Sequence, residues 1–103
     1  MYEDKKQYLS SYLLQNAVIH RCNLMMECYP ERRQEYLKQI AAANALRDEI
    51  EEKIRQTDGD VLSELLLLKY VCGKTLLEIS YILNYSLRHI ERLHRKALKL
   101  FKM

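Results

Sequence analysis

The side chains with the most chemical capacity in this chain lie between residues 84 and 103. Arg88, Arg92, Arg95, Lys96, Lys99 and Lys102 stand there against one acid, Glu91. Cations spaced three and four apart share one side of a helix. Such groups bind anions. Arginine grips guanine or phosphate through two parallel hydrogen bonds, and lysine acts as a point charge. Six cations less one acid give this segment a net charge of +5; the chain's formal net charge is +3, so residues 1–83 carry −2. That asymmetry fits an anionic partner for the C-terminal end, with a solvated helix face as the plain alternative.

Local signals say how these side chains are held. Ser86 is a good helix cap, and Ile90, Leu93, Ala97, Leu98 and Phe101 give the following helix an apolar inner side. Upstream, Thr75 and Glu78 have the spacing of a capping box, which satisfies two free N–H groups at a helix start. Leu76, Ile79, Ile82 and Leu83 form the apolar stripe of that helix. Asn84 ends it, because asparagine tolerates the left-handed conformation a tight turn needs. Two helices, a short turn and a basic second helix match the helix-turn-helix, which sets its recognition helix in the DNA major groove.

Position in that docking mode assigns roles. Leu87, Arg88, Glu91 and Arg92 face the groove floor. Arg88 or Arg92 can grip guanine, and Leu87 can touch a thymine methyl. Glu91 can accept from cytosine or orient Arg95 one turn on; the second role is favoured. Arg95, Lys96 and Lys99, joined by His89, meet phosphates. Lys74 and Thr75 start the preceding helix and are placed for another phosphate, since helix N-termini bind anions. Ser86 can add one more, although capping alone accounts for it.

The runs Lys69-Tyr-Val-Cys-Gly-Lys-Thr-Leu-Leu-Glu-Ile and Tyr85-Ser-Leu-Arg-His-Ile-Glu-Arg-Leu-His-Arg-Lys-Ala-Leu resemble region 4 of bacterial sigma-70 factors. They are also similar to the small ArpU/RinA-type late-gene activators of phages and mobile elements. The resemblance covers residues 61–101. It departs from the family at Asn84, usually glycine, and at Leu87, where many sigma factors carry a polar base reader. It implies a phage or prophage transcription regulator that binds double-stranded DNA, and RNA polymerase as a further partner. The chain is too short for the core-binding and melting region of a full sigma factor.

The rest of the chain must position this unit. Its 103 residues suffice for one small domain, and two glycines and one proline favour long helices over a many-turned β fold. The expected fold class is all-α: a long N-terminal helical hairpin or arm over 1–57, then a three-helix DNA-binding unit over 58–103. A first helix spans 3–28, with Tyr8, Leu9, Tyr12, Leu13, Ile19, Met25 and Met26 apolar and Leu14, Val18 and Cys22 as a second stripe. So wide an apolar surface is usually covered on two sides. Pro30 opens a second helix to Gln56, striped by Leu37, Ile40, Ala43, Leu46, Ile50 and Ile54 over roughly four heptads. It can pair with the first helix, or with its equivalent in a homodimer through residues 8–54. Gly59 ends it and Asp60 caps a third helix over 61–72, buried between the arm and the helix-turn-helix.

Other chemistries lack their residues. No acid pair, Ser–His or Cys–His arrangement marks an enzyme. Gly73-Lys74-Thr75 lacks the upstream glycine and strand of a phosphate-binding loop. His89 and His94 are five apart and point to different faces, so no metal or other cofactor is expected. Three cysteines, odd in number and set in apolar patterns, fit a reduced cytoplasmic setting. There is no signal peptide pattern, and the run Gln7–His20 falls short of the ~20 apolar residues of a membrane span. The alternative function is a protein-interaction module that binds RNA polymerase or a sigma factor through the arm without binding DNA by itself.

Overall fold

The computed structural model describes residues 2–103. Five α-helices follow in order: α1 Glu3–Cys28, α2 Arg33–Arg55, α3 Asp60–Leu66, α4 Leu76–Leu83 and α5 Leu87–Leu100. A 3₁₀ turn, Pro30–Arg32, joins α1 to α2, and its proline sits in the first turn, where its missing N–H costs nothing. The fold is all-α. No helix among the described residues is long and apolar enough to cross a membrane.

α1 and α2 pack against each other as a hairpin within one chain, so the apolar stripe of α2 is covered by α1. The molecule measures 52 × 25 × 22 Å with a radius of gyration of 16.1 Å. A compact chain of this length has a radius near ~13 Å, so the hairpin projects as an arm. Buried residues thin out along it. Beyond Tyr12 and before Ile50 only Cys22, Tyr36 and Ala43 are fully buried.

At its base the arm enters a shared core. Leu9 and Tyr12 of α1, Ile50 and Ile54 of α2, Leu62 and Leu66 of α3, and Ala97, Leu98 and Phe101 form one cluster. A second cluster, Leu65, Ile79 and Ile90, joins α3, α4 and α5, and Leu93 packs against both. α3 therefore lies between the arm and the helix-turn-helix, with adjacent faces of one helix in the two cores. Polar contacts reinforce the junction. Lys5 Nζ donates to the carbonyls of Leu98 and Lys99 at 2.9 and 3.2 Å, closing orphan acceptors at the end of α5.

The α2–α3 connection and the third helix differ from the pattern-based expectation. Gly59, at φ 99°, is the N-cap of α3, and Asp60 is its first helical residue with no capping hydrogen bond from its side chain. Asp60 still favours this end through its charge. The expected helix over 61–72 is two pieces, because Leu67–Val71 forms a π turn. The Cys72 N–H reaches the Leu67 carbonyl at 2.9 Å and the Lys74 N–H reaches that of Leu68 at 3.0 Å. This wider turn faces Tyr70 into the shared core. Gly73 follows at φ 75°, and a Cβ there would meet Leu13 of α1 at 3.5 Å. The positive φ selects glycine here; the contact itself is an ordinary one.

Candidate nucleic-acid interface

Each helix of the helix-turn-helix starts with a side-chain cap. The Thr75 N–H donates to Glu78 Oε1 at 3.0 Å, and the Glu78 N–H donates to Thr75 Oγ1 at 3.1 Å. The complete box holds the Glu78 carboxyl below its ordinary range, chiefly through the Thr75 N–H. Asn84 adopts φ 59°, ψ 44°, the left-handed turn conformation that glycine would otherwise supply. Ser86 Oγ then accepts from the His89 N–H at 3.1 Å and starts α5. Both hydroxyls accept from the backbone, so each keeps its proton to donate outward.

α5 divides sharply by face. Ile90, Ala97 and Leu98 are buried with Leu93 half-buried, whereas Arg88, Arg92, Arg95, Lys96 and Lys99 are exposed. Leu87 is exposed at the head of the helix, and Lys74, Thr75 and Ser86 are exposed beside it. Each of these predicted residues is therefore accessible to a partner. Among the described residues, the ion pairs are Lys6–Glu3, Arg32–Glu35 and Lys53–Glu49, all in the arm. The cations of α5 carry their charge without a neutralising carboxylate.

Two further predicted side chains, Glu91 and His89, are less exposed than the cations. Glu91 is half-buried and forms no ion pair with Arg95. The His89 ring packs edge-on against Tyr85 at 4.9 Å, and its Nδ1 lies 3.3 Å from Arg92 Nη2. His89 therefore contacts Arg92 at the surface of α5. Ile82, expected in the core stripe of α4, is 52% exposed, and Leu77 and Tyr81 beside it are 50% and 78% exposed. A helix apolar on nearly every side offers two possible stripes, and packing on Leu65 and Ile90 selected the one through Ile79.

One feature near the interface was absent from the spacing signals. His94, on α5, is buried, and its Nε2 lies 2.8 Å from Tyr70 Oη. Burial pushes the imidazole down to about 4, and the positive charges of Lys69, Lys6 and Arg95 act in the same direction. Burial likewise pushes Tyr70 up to about 12, with Glu3 adding to it. Both groups are neutral at pH 7, so a single proton bridges them. Periodicity does put position 94 on the inner side of α5, between Ile90 and Leu98. The pairing with Tyr70 had no sequence signal because the π turn aims that ring.

Cys22 is buried, while Cys28 and Cys72 are exposed, and all three are free thiols. Among the described residues no three His, Cys, Asp or Glu side chains gather as a metal site. No protein-family model, curated protein or solved structure matches this chain.

Proposed function

We propose that this protein is a sequence-specific DNA-binding transcription regulator of the sigma-70 region 4 type, from a phage or prophage. α5 lies in the major groove. Arg88 and Arg92 read base edges there, and Leu87 covers a thymine methyl. Arg95, Lys96, Lys99 and the Lys74–Thr75 helix start hold phosphates on the two sides. The observation that carries this reading is the unneutralised cationic face on a doubly capped helix-turn-helix. An unpaired cation cluster on a fixed helix suits a polyanion, because binding releases the counterions condensed on it. RNA polymerase contact belongs to the same reading through the resemblance to region 4.

Selection of bound duplexes from a random DNA pool tests it. An enriched motif is expected, and no enrichment together with salt-insensitive binding would overturn it. Arg92→Ala is expected to lower specific affinity by ~1–3 kcal/mol and to blur preference at one base pair. Equal losses on specific and random DNA would remove Arg92 from the base readers. Lys96→Ala should weaken binding to all sequences alike and flatten the salt dependence; an unchanged slope would remove it from the phosphate contacts.

The exposed apolar side chains Leu77, Tyr81 and Ile82 favour a second reading, in which the unit docks on a protein. A protein-only module has no steep salt-dependent affinity for random duplex, so the same titration separates the two.

A further inference from the structure

Beside the helix-turn-helix lies an open cleft of about 610 Å³ between α1, the π turn and the start of α4. Three lysines from three separate elements line it: Lys6 of α1, Lys69 of the π turn and Lys74 of the following loop. Ser10 and Thr75 add hydroxyls to its walls, and the neutral Tyr70–His94 pair forms part of its floor. The run that resembles sigma region 4 contains Lys69, Lys74 and Thr75 of this set, but neither Lys6 nor Ser10. Lys6 is remote from the motif and reaches the cleft because the arm packs back on α5.

Burial holds the His94 imidazole at the floor of the cleft low, and neighbouring cations add to this. The charges of Lys69, Lys6 and Arg95 all act on the His94 imidazole against its protonation. The Lys74 charge acts on the nearby Glu78 carboxylate, and the Glu3 carboxylate lies 3.7 Å from Lys6 Nζ. That is a loose pair between exposed side chains, of a kind that contributes little and yields to a stronger anion. Lys69 is half-buried with its Nζ 5.5 Å from the Tyr70 ring centroid, so its stem is fixed while its charge faces the cleft.

Resting on the DNA-binding reading, we propose that this cleft seats a second stretch of DNA backbone, so that the arm shares in the footprint. The cleft is far larger than one phosphate ion and is open to solvent. It continues from Lys74 and Thr75, where the helix-turn-helix meets its flanking phosphate. Lys69 and then Lys6 extend that contact along the strand, away from the bases read by α5. The contact is blind to sequence, since every group in it addresses phosphate.

The test measures binding of a labelled random-sequence duplex over a range of salt concentrations. The wild type is compared with the Lys6→Gln/Lys69→Gln double variant, and Lys38→Gln on the exposed side of α2 serves as control. The slope of log affinity against log salt should flatten by about 2 in the double variant, at about 0.9 for each phosphate no longer neutralised, and stay unchanged in the control. Glutamine keeps most of each stem, and matched thermal melts establish that the double variant is folded. An unchanged slope, with wild-type binding still steep in salt, would overturn the arm contact and leave the reading of α5 intact. No salt-dependent binding by the wild type would overturn both. If sulfate raises the melting temperature of wild type but not of the double variant, while DNA slopes agree, the cleft holds a free anion and the proposal fails.

Discussion

The arm and α5 are both helical elements rich in charge, and they dispose of that charge in opposite ways. In the arm, Glu49 and Lys53 pair one turn apart at 2.9 Å, and Arg32 and Glu35 pair at 3.0 Å. Such pairs neutralise each other locally and stabilise their own helix slightly. On α5 the cations stand alone and project outward. The apolar sides differ in the opposite sense. α5 sets its inner face among the four other helices and the π turn, whereas the outer arm is two helices with few buried residues and leaves Leu14 and Leu24 in solvent. A helix whose apolar face is over-determined can hold unpaired charge in a fixed pattern. A helix held by one partner cannot present such a pattern with the same precision, and self-paired charge suits it better.

The most severe way to break this contrast is to remove the residue that joins the two regions. Phe101 is 1% exposed and packs in the core shared by the arm, α3 and α5, with its ring 6.1 Å from that of Tyr8. Phe101→Ala should cost about 3–5 kcal/mol of stability, read by urea unfolding. The arm and α5 should lose structure in one transition. Two separated transitions would mean that the arm folds independently and that the shared core does not hold α5.

A smaller effect concerns pH. The folded-state value of His94, about 4, lies below its ordinary 6.5. As pH falls from about 6.5, the unfolded chain takes up the proton first, so stability declines until pH approaches 4 and then levels. The full loss is up to about 3 kcal/mol. His94→Gln should flatten the decline in that window. Glu78 and Glu49 are held below their ordinary values, so their contributions are present above about 4.5 and are lost only at lower pH. Denaturation of both proteins across this range checks the assignment. A variant with the same slope as wild type would mean that His94 titrates normally.

Much of the fold and of the local geometry of the candidate site was legible in the sequence, for physical reasons that particular residues make plain. Thr75, Glu78, Asn84 and Ser86 act within one turn of themselves, so their types alone specify the caps and the turn. The stripe of α2 is narrow, and only one face could be buried. Legibility failed where a tertiary choice decided the outcome. In Leu76–Leu83 apolar residues surround the helix, and the neighbours chose which stripe went inside. The π turn at Leu67–Val71 depends on seating Tyr70 against α1 and α5, and a periodic pattern contains no such instruction. Lys6 and Lys69 are unremarkable lysines in sequence and meet at one cleft only through the return of the arm.

The smallest expected effect bears on what the outer arm does with its exposed apolar residues. Leu14 is 61% and Leu24 is 49% exposed, and neither belongs to either core cluster. In a monomer, Leu14→Gln and Leu24→Gln should each change stability by less than about 0.5 kcal/mol, because little apolar area leaves the folded interior. Measuring the melts at several protein concentrations makes the test decisive. If a second copy covers this face, the variants lose more stability and the wild-type melting temperature rises with concentration, since association draws the folded state forward by mass action. Concentration-independent melts with near-zero change would leave the arm a single-chain hairpin. The contrast with α5 would then rest on charge and packing within one molecule.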